Sequence, residues 1–66
     1  MDELTEREQE IFDLVILGYQ NKGIAHRLEI SHQTVKNHMG TIYEKKEVQD
    51  RITMILKHYD LPNWMD

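Results

Sequence analysis

A connection of only three residues, Glu29–Ser31, separates two segments of the chain that both have the hydrophobic spacing of a helix. The segment before it, NKGIAHRL, places Ile24 and Leu28 on one side. Ser31 suits the N-cap of the second segment, because its hydroxyl can accept a hydrogen bond from an unpaired backbone N–H. The apolar positions of that segment are Val35, Met39 and Ile42. Two helices joined this closely must cross steeply, which predicts a helix-turn-helix.

A further helix is predicted before this pair. Thr5 and Glu8 have the spacing of a capping box, in which hydroxyl and carboxylate each accept from a backbone N–H, so the helix should begin near Glu6. Gly18 is a natural C-terminal stop. The apolar stripe between them consists of Ile11, Phe12, Leu14, Val15 and Ile16.

A fourth helix is predicted after the capping candidate Asp50 and before Pro62. Its apolar stripe, expected to face the core, consists of Ile52, Ile55, Leu56 and Tyr59. The opposite side, expected to be exposed and to form a homodimer interface, consists of Arg51, Met54, Lys57 and His58. The whole pattern predicts one all-α domain over residues 1–66, with no strand required.

Length and charge set further limits. A chain of 66 residues can form only a small core, so oligomerisation is an expected source of stability. The formal net charge is −4, but residues 15–46 carry five bases against two acids, whereas residues 1–14 and 47–66 are acidic. The helix-turn-helix segment is therefore the basic part of the chain and can attract phosphate.

Several classes of protein are disfavoured. The chain has no Cys, which excludes disulfides and fits a reducing compartment, and it has no apolar run long enough for a membrane span. Its first ten residues are acidic, where a signal peptide would be basic and then apolar, so we expect no export. We therefore expect a cytoplasmic protein. Its four His lack metal-ligand spacing, and it has no Gly-rich phosphate loop or catalytic triad order. We expect no metal, no cofactor, no small-molecule ligand and no enzymatic activity.

The residues carry a family resemblance from Leu4 to about Ile55. The motifs, in order, are LTxRE from Leu4, NKxIA from Asn21, IS at Ile30, TVKxH from Thr34, and then Ile42, Lys45, Val48 and Arg51. In this order and spacing the chain resembles the DNA-binding domain of LuxR-type, GerE-like regulators. That resemblance implies four helices, with the third helix, at about 32–46, in the major groove of DNA. It also implies a dimer interface on the fourth helix, at about 50–60.

The resemblance and the helical spacing together give the candidate site. Residues expected to face the bases are Gln33, Lys36, Asn37 and Gly40. Residues expected to contact phosphate are Lys22, Thr34, His38 and Lys45. For each of these there is a plainer interpretation: the lysines can be ordinary solvated side chains, Thr34 can serve the helix N-terminus, and His38 can pack beside Met39.

Three positions depart from the family pattern. Gly23 replaces the usual Glu and should weaken the second helix by about 1 kcal/mol relative to Ala. Lys46 replaces the usual Leu, so either an apolar contact is missing or the third helix ends a turn early. Gly40 leaves fewer groups for contacting bases.

Two functions remain open from the sequence. The first is a homodimeric transcriptional regulator that binds a specific double-stranded DNA sequence, with RNA polymerase or a partner regulator as further candidate partners. The second is a helix-turn-helix module that sequesters another regulator through protein contacts. The basic middle segment favours the first.

Overall fold

The computed structural model describes residues 3–60, and this part of the chain forms four helices and no strand. Their bounds are α1 Glu6–Ile16, α2 Asn21–Leu28, α3 His32–Lys46 and α4 Arg51–Tyr59. The predicted all-α fold is therefore confirmed, as is the short connection between the second and third helices. The prediction that Pro62 ends the last helix lies outside the described residues.

Both ends of α1 follow from local sequence. At the start, Thr5 N donates to Glu8 Oε1 over 2.9 Å and Glu8 N donates to Thr5 Oγ1 over 3.2 Å, which is the predicted capping box. At the end, Gly18 adopts a φ of 101°, a conformation that side chains disfavour. Its N–H donates to Val15 O, and that of Tyr19 donates to Leu14 O, which closes the helix.

The helices α2 and α3 end in the same manner but without glycine. Glu29 and Glu47 take left-handed conformations, with φ of 58° and 60°. The following amides of Ile30 and Val48 each donate back into the last turn over 3.0 Å. Ile30 and Val48 then pack against the core, which compensates for the strain of a left-handed residue with a side chain.

The core lies where α3 crosses α1 and α2. Ile11, Ile24, Val35 and Ile42 are completely buried there, and α3 packs against each of the other three helices. The other buried apolar residues are Phe12, Leu14, Val15, Met39 and Met54. The buried side of the helix-turn-helix thus packs against α1, and the opposite side of α3 is exposed.

The predicted orientation of α4 is wrong at three positions, whereas Lys57 and His58 are exposed as predicted. Met54, expected on the exposed side, is 2% exposed and is the residue that α4 contributes to the core. Ile52 and Tyr59, expected to be buried, are 71% and 52% exposed. The apolar stripe therefore lies along the flank of α4, with Ile55 and Leu56 only partly buried.

Arg51 contributes to this orientation. Its guanidinium donates to Asn21 Oδ1 over 2.8 Å and to the carbonyl oxygen of Tyr19, so it joins the start of α4 to the start of α2. Arg51 was predicted in an exposed dimer interface, and that placement is wrong because its side chain turns inward. Met54 lies one turn further along the same side of α4.

Lys46 does not shorten α3, which continues through it. The Nζ atom of Lys46 lies 4.6 Å from the centroid of the Phe12 ring, a cation–π distance. The aliphatic stem and ammonium group of Lys46 thus make the contact with Phe12 that the loss of the usual Leu was expected to remove.

Among residues 3–60, no helix is long and apolar enough to cross a membrane.

Candidate nucleic-acid interface

The N-terminus of α3 is fixed by two hydroxyl groups. Ser31 Oγ accepts from Thr34 N over 3.0 Å and lies 2.8 Å from Thr34 Oγ1. The Thr34 hydroxyl, predicted to contact phosphate, is therefore already engaged in capping, as the plainer interpretation held. This pair fixes the direction in which the first turn of α3 leaves the connection.

The exposed side of α3 carries the residues predicted to face the bases. Gln33, Lys36, Asn37 and Gly40 are all exposed, and their spacing places them on one side. Gln33 Nε2 donates to Asn37 Oδ1 over 2.9 Å, so the two amides form one hydrogen-bonded unit. The unit still presents a donor from Asn37 and an acceptor from Gln33.

Gly40 leaves a gap on this side. A Cβ built on it would meet nothing within 4 Å, and its backbone is ordinary helix, so the site could hold a side chain. In the absence of one, the backbone itself is the surface that an approaching molecule meets. Glu44 follows one turn later and is exposed, so this side of α3 carries a carboxylate as well as the ammonium group of Lys36.

Two of the four residues predicted to contact phosphate remain available. Lys22 is exposed in the first turn of α2, and His38 is partly exposed beside the base-facing side of α3. Arg27 is a further exposed base, 5.7 Å from the Tyr19 ring, which sequence reasoning left out of the site. The only signal for it was the excess of basic residues in the middle segment.

Lys45 is the exception among the predicted phosphate ligands. Its Nζ lies 2.7 Å from Glu8 Oε1 and 3.3 Å from the carbonyl oxygen of Glu3. Glu8 is 6% exposed, so this ion pair is shielded and joins the start of α1 to the end of α3. Lys45 was predicted to contact phosphate, with an ordinary solvated lysine as the alternative, but in this structure its ammonium group pairs with Glu8.

The same ion pair alters the chemistry of Glu8. The hydrogen bond from Lys45, followed by that from the Thr5 backbone, lowers the pKa of the Glu8 carboxyl below its usual value of 4.5. Glu8 is therefore charged at neutral pH and is structural. Residues 3–60 contain no group of three or more His, Asp or Glu side chains placed to hold a metal ion.

Comparison with known proteins agrees with this geometry. A sequence model of the family described as "Bacterial regulatory proteins, luxR family" matches residues 2–57. The chain is 47% identical over 53 residues, 80% of its length, to the response regulator protein VraR of Staphylococcus aureus. The same values hold for the proteins of that name from Staphylococcus saprophyticus and Staphylococcus epidermidis. It spans 25% of the length of these relatives.

Proposed function

Because the chain belongs to the luxR family of bacterial regulatory proteins, we propose that it binds a specific double-stranded DNA sequence to regulate transcription, with α3 in the major groove. Family membership and the response-regulator relatives support a DNA-binding regulator of transcription. The observation that carries the finer proposal is the exposed polar side of α3, which is held away from the core by α1 and α2.

Base contacts in this proposal come from the first half of α3. The Gln33–Asn37 unit offers one donor and one acceptor, which is the combination that adenine requires in the major groove. Lys36 lies between them on the same side and can contact guanine or a phosphate. The position of these residues near the start of α3 matches the way that recognition helices contact base edges.

Phosphate contacts in this proposal come from Lys22 and His38, on either side of that face. Lys22 is exposed on α2 and can contact the DNA backbone while α3 enters the groove. Lys45 is not proposed for this role, because its ammonium group is paired with Glu8.

A homodimer is the second part of the proposal. The flank of α4 exposes Ile52 and Tyr59, and Leu56 between them is only partly buried. Tyr59 Oη donates to Ile16 O over 3.3 Å, which extends the patch toward Leu17, 73% exposed at the end of α1. Apolar surface of this kind on a chain with a small core supports a self-complementary contact.

The experiment is selection of bound sequences from a random duplex library, followed by affinity measurements on the selected site. Asn37→Ala should lose about 1–3 kcal/mol of discrimination at one base pair in each half-site. Gln49→Ala is the control, since Gln49 is an exposed amide outside the helices. If Asn37→Ala and Lys36→Ala both bind the selected site as tightly as the parent, α3 does not contact the bases.

A second candidate function is sequestration of a related regulator without DNA binding. The exposed apolar residues Leu17, Ile52 and Tyr59 favour it, because a partner chain with a similar flank could cover them. Failure to enrich any duplex at low salt, together with a stable complex between this chain and such a regulator, would select this function over the first.

A further inference from the structure

A cleft of about 230 Å³ opens on the side of the molecule opposite the proposed DNA-binding face. Its apolar floor is formed by Phe12 and Met54, which are 5% and 2% exposed. Its rim is formed by Lys46, Lys57 and His58, so α1, the end of α3 and α4 all contribute. None of these residues takes part in the proposed contacts with DNA.

The rim is cationic. Lys46 Nζ lies 4.6 Å from the centroid of the Phe12 ring, and Lys57 Nζ donates to the carbonyl oxygen of Lys46 over 2.8 Å. The His58 ring lies edge-on to Phe12, with centroids 5.4 Å apart. Within residues 3–60, neither ammonium group forms an ion pair with a carboxylate. The two lysines at the rim of the cleft, above a nearly buried aromatic and thioether floor, therefore lack a negatively charged partner in the described part of the chain.

The position of the cleft separates it from the proposed DNA-binding side of α3. Lys46 lies four and seven residues after Ile42 and Met39, so it shares the inward side of α3 and not the side of Asn37. On α4, Met54, Lys57 and His58 share one side, whereas the exposed flank carries Ile52 and Tyr59. The two sides meet where the His58 ring lies edge-on to the Tyr59 ring, with centroids 5.0 Å apart, so the cleft adjoins the proposed dimer flank. DNA binding through the side of Asn37 would leave the cleft open.

Size and chemistry together indicate the occupant. The cleft is smaller than the roughly 300–1,000 Å³ of typical small-molecule pockets, and it suits a single large side chain, as in the central pockets of protein interfaces. Nucleic acid phosphates would use the lysines but not the apolar floor. We propose that the cleft is a docking site for an acidic segment of a partner protein, which inserts one aromatic side chain against Phe12 and Met54 and places carboxylates beside Lys46 and Lys57.

The test uses a capped Asp-Asp-Trp-Asp-Asp peptide titrated into the ¹⁵N-labelled chain. We expect saturable shifts centred on the amides of Phe12, Lys46, Met54 and Lys57, and weakening of binding as salt is raised. Two further peptides, Asn-Asn-Trp-Asn-Asn and Asp-Asp-Ala-Asp-Asp, should each bind at least fivefold more weakly, since each lacks one half of the required chemistry. No shifts up to millimolar peptide would overturn the proposal.

Variants locate the contact. Lys46→Gln combined with Lys57→Gln should weaken peptide binding at least fivefold, whereas Lys22→Gln combined with Lys36→Gln, an equal loss of charge elsewhere, should not. Lys46→Met keeps the stem over Phe12 and separates charge from packing, and thermal unfolding verifies that each variant is folded. Equal losses in the two double variants would overturn the proposal. A 20-base-pair duplex provides a further check. If the duplex shifted the same four amide signals, and these shifts depended on Lys46 and Lys57, the cleft would be part of a DNA-binding surface and the proposal would be overturned.

Discussion

At the scale of single residues, Glu8 combines two roles in one carboxylate. It completes the capping box of α1 and pairs with Lys45 at the end of α3, 37 residues away. The carboxylate that caps the start of α1 thereby also forms a tertiary contact. The pair also occupies the ammonium group of a partly buried lysine that the chain could otherwise present to phosphate.

Glu8 should make stability depend on pH in the acid range. Its pKa is lowered in the folded state, so its stabilising effect is complete above its usual value of 4.5 and is lost as the pH falls through the folded value. We expect the urea midpoint of the parent to fall on acidification and that of Glu8→Gln to start lower and fall less. Glu10→Gln, an exposed carboxylate on the same helix, should retain the parental profile, and coincident profiles for all three proteins would contradict this.

Lys22 and Lys45 were both predicted to contact phosphate, but their substitution should have different effects on DNA binding. Lys22→Ala should weaken binding to all DNA sequences alike and reduce the slope of log affinity against log salt by about 0.9 per protomer. Lys45→Met should leave that slope unchanged, because its ammonium group is paired with Glu8, and should lower stability instead. Affinities measured over a range of salt concentrations distinguish the two, and a flattened slope for Lys45→Met would show that the ion pair opens on DNA.

At the scale of helices, α4 is held by few contacts, so single changes in it should have very unequal effects. Met54→Ala removes a core side chain and should cost about 2–5 kcal/mol of unfolding free energy, whereas Met54→Leu conserves volume and should cost under about 1.5 kcal/mol. At protein concentrations low enough to keep the chain monomeric, Ile52→Ala should change stability by no more than about 0.5 kcal/mol, because Ile52 is 71% exposed in the single chain. Urea denaturation measures all three, and similar losses for Met54→Ala and Ile52→Ala would contradict this orientation of α4.

At the scale of the whole molecule, the exposed flank of α4 should set both assembly and DNA geometry. Ile52→Asp should remain folded and sediment as a monomer, whereas Thr53→Asp, an exposed neighbour off the apolar flank, should still dimerise. The parent should select an imperfect palindrome with half-sites about 10 base pairs, or 34–36 Å, apart. Unchanged sedimentation of Ile52→Asp, or half-sites at random spacing, would contradict a closed two-fold dimer.

The structural features that could be predicted from the sequence are local. The capping box at Thr5, the stop at Gly18 and the caps at Ser31 and Asp50 all appear as predicted, because each depends on hydrogen bonds within a few residues. The exposure of Asn37 and its neighbours on α3 was also predictable, since its apolar positions define a single buried side.

The partners that each helix meets depend on tertiary contacts. The periodicity of α4 indicates an apolar stripe but does not determine whether that stripe is buried. In this structure Arg51 contacts Tyr19 and Asn21. On the same helix Met54 is buried and Ile52 is exposed. Lys45 has the sequence context of a phosphate ligand, yet Glu8 pairs with it from the start of α1, outside the helix-turn-helix. Such contacts join residues 30 or more positions apart. No short stretch of sequence contains both partners.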